Sequence, residues 1–203
     1  MRIKYNAPVS LTFTLAAGAV FLLSLAFPGI NEMAFVVRGN ISFQWGNIGH
    51  WLGIFSHILG HGDWDHYVGN FTFILLLGPI LEEKYGLADM IFMILVTTFV
   101  VGLSNAVFFA NSSLGASGIV FMMIILASVT NISKGDIPIT LLIVAAIFIG
   151  KEIANSMAEN NVNEFAHIIG GVSGGILGLI IGNPKSPENK PVEDSSSSSD
   201  QLD

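Results

Sequence analysis

The 203-residue chain is 52% hydrophobic and only 11% charged, with a mean hydropathy of +0.67, whereas soluble domains carry about a quarter charged residues; it reads as an integral membrane protein. It has no cysteine, which excludes disulfides and thiolate metal sites. The net charge of −7 decides little in a chain half of which lies in lipid, but with no basic stripe and no phosphate-cradling glycine loop, no nucleic-acid partner is expected.

A crossing needs about 20 apolar residues, and six stretches qualify or nearly do: Pro8 to Phe27, His66 to Leu81, Leu87 to Ala110, Gly115 to Asn131, Ile137 to Ile153, and Phe165 to Gly182. The expected fold class is therefore all-α, a polytopic bundle of six transmembrane helices. Arg2 and Lys4 precede the first stretch, which closes on Ser24-Leu25-Ala26. A cleaved signal peptide and an uncleaved first helix are both open readings; the apolar run exceeds the roughly 7 to 15 residues of a signal core, which favours the uncleaved helix.

Between the first two stretches, Pro28 to Asp65 interleaves Phe35, Phe43, Trp45, Trp51 and Phe55 with glycines and polar residues. That pattern suits a long loop lying half-submerged at the membrane interface. His57 and His61 stand at i, i+4, half of a metal pair, but "HILGH" lacks the glutamate of the zinc-protease pattern. They are read as interfacial hydrogen-bonding groups, and no metal is expected. Asp63 and Asp65 are placed in solvent. The second stretch, His66 to Leu81, is shorter than a crossing and is expected to begin in a protein-lined cavity.

Beyond the sixth stretch, "PKSPENKPVEDSSSSSDQLD" has no aromatic residue and cannot bury enough apolar surface to offset chain entropy. The domain plan is a membrane domain over residues 1–183 and a disordered, acidic, Ser-rich tail over 184–203, either merely solvating or regulatory. With six crossings, one side collects Arg2, Lys4, Lys84, Lys134, Lys185 and Lys190, the other only Arg38 and Lys151. Both termini are thus expected on the cytoplasmic side.

Polar side chains are costly inside a membrane, so their depth is informative. Ser117 is expected two or three residues into the fourth helix, about 3 to 5 Å down by helix rise. His167 lies at a similar depth in the sixth, His66 heads the second, and Asn70 follows one turn deeper on the same face. Polar groups from three helices thus share one stratum near the non-cytoplasmic surface. Gly170, Gly174, Gly178 and Gly182 recur every four residues, a strip along which another helix can approach closely.

A serine hydroxyl becomes a nucleophile when a base takes its proton, and imidazole is the usual base near neutral pH. Glu164, one turn from His167, is read as solvated, so the constellation is a dyad, Ser117 and His167. His66, Asn70 and the Ser117 backbone N–H are candidate donors to a developing oxyanion, and Phe121, one turn below Ser117, is placed to stack on the imidazole. Taken singly, Ser117 also reads as a local hydrogen-bonder to its own backbone and His167 as a group satisfying a neighbouring helix. The glycine strip packs helices whatever the function.

"GASG" around Ser117, "AHIIGGVSGG" around His167, "HILGHGDWDHYVGN" leading to Asn70 and "EEKYG" at 82 to 86 together resemble the rhomboid intramembrane serine proteases over roughly residues 8 to 182. The resemblance implies Ser117 as nucleophile, His167 as general base, His66 and Asn70 at oxyanion-binding positions, and Glu82 and Gly86 as structural residues. Gly115, Phe121, Gly170 and Gly174 would support the site. It also implies cleavage of peptide bonds in transmembrane segments of other proteins, through an acyl-enzyme, with no metal or cofactor and with the lipid bilayer as surroundings.

A small residue before the scissile bond and a helix-destabilised segment would be preferred. The sequence departs from the family where Trp51 is not followed by arginine and where Phe121 stands in place of a frequent tyrosine. With no seventh helix, the minimal form implies a prokaryotic plasma membrane. Two rival functions are a catalytically silent, client-binding relative and a small transporter; the apolar "FILLLGPIL" and "GGILGLIIG" stretches speak against a polar path through the bilayer.

Overall fold

The computed structural model describes residues 4–132 and 164–181, with helical positions 139, 142, 143, 146, 147 and 150 between them. Among these residues the chain is helical apart from loops and one isolated β-bridge.

Helix α1 (Pro8–Ala26) opens with proline at its first position, where the missing N–H costs nothing. The next two N–H groups are taken by one carboxylate: Val9 and Ser10 donate to Glu82 at 3.0 and 2.6 Å, and the Ser10 hydroxyl donates as well. A negative charge at a helix N-terminus meets both the free donors and the helix dipole. Glu82 is buried near the end of a later helix, Trp64–Tyr85, so the contact ties two distant elements together. At the opposite end of α1, Phe21 stacks on Tyr67 at 5.7 Å and the Tyr67 hydroxyl donates to the Thr14 carbonyl at 3.1 Å. The two helices are therefore antiparallel, and Gly78 leaves room for the Ser10 side chain between them.

The first loop folds into α2 (Ile30–Ala34), α3 (Ile48–Ser56) and a 3-10 turn at His57–Leu59. Phe43, Trp45 and Trp51 form a ring cluster with centroids 4.9 to 5.9 Å apart. Ile41, Ile48 and Leu52 stay exposed, an apolar surface that suits the expected interfacial position.

Helix α4 (Trp64–Tyr85) corrects the expectation of a short second span. Its 22 residues measure about 33 Å by helix rise, longer than the expected stretch, although it is not among the helices both long and apolar enough to cross a membrane. The helix starts earlier because Asp63 caps it, accepting from the His66 N–H at 2.7 Å. It ends on Gly86 with φ of +84°, a left-handed turn that favours glycine. The chain then reverses into α5 (Leu87–Phe108). Helices α1 and α5 are each long and apolar enough to cross a membrane.

Helix α6 (Ser117–Ile132) and helix α7 (Glu164–Ile181) run side by side. A Cβ on Gly170 would overlap the Gly118 carbonyl, and one on Gly174 would overlap that of Met122. Both glycines contact α6 four residues apart, so the helices are parallel and in backbone contact. Without a hydrophobic force between helices in lipid, such close packing is a principal source of association. The expected fifth span, Ile137 to Ile153, lies outside the described residues except for six exposed helical positions. The segment from residue 184 onward also lies outside them.

Candidate active site

The segment that delivers Ser117 is held by the first loop. Ser113 and Val37 exchange two backbone hydrogen bonds of 2.9 Å, the Asn40 N–H donates to the Phe109 carbonyl at 2.7 Å, and the Gly115 N–H donates to the His57 carbonyl at 2.9 Å. Gly115 has φ of +120°, outside what a side-chain-bearing residue adopts readily. The helix therefore begins after it: the Ala116 carbonyl accepts from Ile119 and Val120 at 2.9 and 3.0 Å, and Ser117 is the first residue of α6. This corrects the expected depth of two or three residues. Ser117 is half-buried and sits among first-turn N–H groups, which have no acceptor within a helix.

His66 and Asn70 come to the same place from α4. A Cβ at position 115 would stand 2.6 Å from Cε1 and Nε2 of His66 and 3.8 Å from Nδ2 of Asn70. Asn70 is buried at 3% exposure. The loop before Ser117 thus lies directly against both expected oxyanion donors.

His57 and His61 hydrogen-bond as expected, and they do so inside the protein: both are buried, at 2% and 0% exposure. They flank the 3-10 turn that ends at Leu59 and Gly60. The His57 Nδ1–H donates to the Ile54 carbonyl at 2.9 Å. His61 Nδ1 lies 3.3 Å from the Leu59 carbonyl and Nε2 lies 3.2 Å from Asn70 Nδ2. A carbonyl only accepts, so Nδ1 carries the proton and Nε2 accepts from the Asn70 amide.

The His61 ring meets those of His66, Phe71 and Tyr67 at 5.0, 5.4 and 5.6 Å. Burial pushes His57 down to about 4. Burial, reinforced by His66, does the same to His61, also to about 4, against the pull of the Leu59 carbonyl and Asp63. Both are neutral at neutral pH.

His167 lies in the first turn of α7, three residues before Gly170. Its backbone is one turn above the Gly170–Gly118 contact and beside the start of α6, while its side chain lies outside the described residues. Glu164 opens the same helix. Phe121 is half-buried, its ring edge 3.3 Å from where a Cβ on Gly171 would stand, so it faces α7 one turn below His167. Among the described residues no group of three His, Cys, Asp or Glu could hold a metal ion. His61 as the partner of Asn70 was not read from the sequence; the nine-residue separation crosses a turn that helical periodicity does not span.

A family model described as the Rhomboid domain matches residues 48–184, a range that contains His57, His61, His66, Asn70, Gly115, Ser117 and His167. No curated protein matches the chain. The match spans well over half of the 203 residues and includes α4, α6 and α7, though not Val37 and Asn40 of the first loop. The chain belongs to the rhomboid family.

Proposed function

We propose that the protein is an intramembrane serine endopeptidase that cuts transmembrane segments of other membrane proteins. Ser117 Oγ attacks the scissile carbonyl carbon while His167 takes its proton; the proton then passes to the leaving amine, and an acyl-enzyme remains. A water deprotonated by His167 hydrolyses the ester, releasing the new carboxylate and returning the proton to Ser117. His66, Asn70 and the Ser117 N–H hold the oxyanion.

The observation that carries this reading is the packing of Gly115, two residues before Ser117, against His66 and Asn70, which supports these two side chains as the oxyanion donors. The neighbouring starts of α6 and α7 support His167 as the base. The reading includes a six-crossing bundle with the first loop outside and both termini cytoplasmic, in a prokaryotic plasma membrane. Because the chain has no cysteine, single cysteines at Lys4 and Ile41 test the topology: an impermeant maleimide should label them from opposite sides, and labelling from one side sinks it.

The test of activity is labelling of the purified protein with a fluorophosphonate probe, together with cleavage of a single-span membrane substrate in liposomes. Wild type should react in both, while Ser117→Ala and His167→Ala should lose both, because residues that act as a unit lose nearly everything singly. Ser117→Ala should keep thermal stability within about 1 kcal/mol, since it adds no buried charge. Cleavage that persists in Ser117→Ala removes the nucleophile. A folded wild type inert in both assays indicates a client-binding member of the family instead.

A further inference from the structure

We propose that His61 is a positioning residue whose neutral Nε2 accepts one N–H of the Asn70 amide and thereby turns the other toward the oxyanion formed at Ser117. The inference rests on Ser117 as the nucleophile. A carboxamide is ambivalent: rotated by half a turn it presents an acceptor oxygen where it had presented N–H. An oxyanion site tolerates only the donor orientation.

The geometry removes the choice in two steps. The Leu59 carbonyl, 3.3 Å from Nδ1 of His61, places the ring proton on that nitrogen. Nε2, 3.2 Å from Asn70 Nδ2, is then a lone pair that repels Oδ1 and attracts N–H. Nδ2 bears two hydrogens, and the atom lies 3.8 Å from where a Cβ on Gly115 would stand, two residues before Ser117. Both residues are buried, where an unmatched amide is costly and a matched one is firmly held.

The groups facing His61 are Asn70 and the Leu59 carbonyl, the rings of His66, Tyr67 and Phe71, and the carboxylate of Asp63. With His61 down at about 4, the acceptor persists through neutral and mildly acid pH.

The test is a double-mutant cycle on the full-length protein, read as the rate of Ser117 labelling by a fluorophosphonate and paired with histidine-selective ¹⁵N NMR. Asn70→Ala and His61→Leu should each slow labelling about 10²-fold, the loss typical of one oxyanion donor. The double variant should be no slower than Asn70→Ala alone, because the two act through one amide. His61→Gln, which keeps an acceptor near the Nε2 position, should recover most of the rate, a rescue that a merely structural role does not give.

In the NMR arm, His61 should be protonated on Nδ1, with an Nε2 resonance that moves in Asn70→Ala. Multiplicative losses, no rescue by glutamine, or an Nε2-protonated ring would each overturn the proposal. If wild-type Ser117 takes no label, the nucleophile reading fails, and the NMR arm alone decides whether His61 orients Asn70.

Discussion

Gly115 joins backbone conformation to chemistry at a single residue. Its φ of +120° ends the loop so that α6 begins at Ser117, and its missing side chain admits the His66 ring. Gly115→Ala meets both demands badly, with a strained backbone costing about 1 to 3 kcal/mol and a methyl group 2.6 Å from the imidazole. The expected outcome is a modest loss of thermal stability with labelling of Ser117 nearly abolished; a variant that labels at the wild-type rate would show that the close contact does not matter. The shared level of His66 and Asn70 was legible because they stand one turn apart on one helix, and the Gly115 loop does meet both. The start of α6 at Ser117 was not, since it follows a positive φ at Gly115 that no hydrophobic pattern encodes, nor was the burial of His57 and His61, which comes from tertiary packing of the first loop.

At the level of elements, the union of α1 with α4 depends on Glu82. Its carboxylate accepts from two backbone N–H groups and one hydroxyl at the first turn of α1, and hydrogen bonds to a charged group contribute about 1.5 to 3 kcal/mol each. Glu82→Ala should lower stability by more than about 2 kcal/mol while Glu82→Gln, which still accepts, loses less; equal melting temperatures for the two variants and wild type would remove the cap from the argument.

The same residue explains why α4 was read too short. Asp65, His66 and Asn70 at one end and Glu82, Glu83 and Lys84 at the other dilute its hydropathy, although all are accommodated by capping, the site or the surface. The Asp63 cap was the available sign of the true start. The pairing of α6 with α7 was legible by contrast, because glycines every four residues let another helix approach closely, as Gly170 and Gly174 do.

Over the whole molecule, the first loop is the frame against which the α5–α6 segment is set. Val37, Asn40 and the His57 carbonyl hold positions 113, 109 and 115, so the residue nearest the head of α6, Gly115, depends on the turn that carries His57 and His61. Both imidazoles are held at about 4 by burial, below the ordinary 6.5. The fold therefore prefers their neutral forms, and the stability this gives is fully present above pH 6.5. It falls as the unfolded loop gains protons that the folded one refuses, and it stops falling near pH 4.

At about 1.4 kcal/mol per pH unit, each histidine withdraws about 2 kcal/mol between pH 6.5 and 5, a window above most carboxylate titration. The melting temperature should drop over that window, the drop should be roughly halved in His57→Gln, and hydrogen exchange at the Gly115 amide should quicken first, because its bond is to the His57 carbonyl on that turn. A melting temperature level from pH 7 to 5 would mean that the loop already opens to admit the proton, and the head of α6 would then need another support.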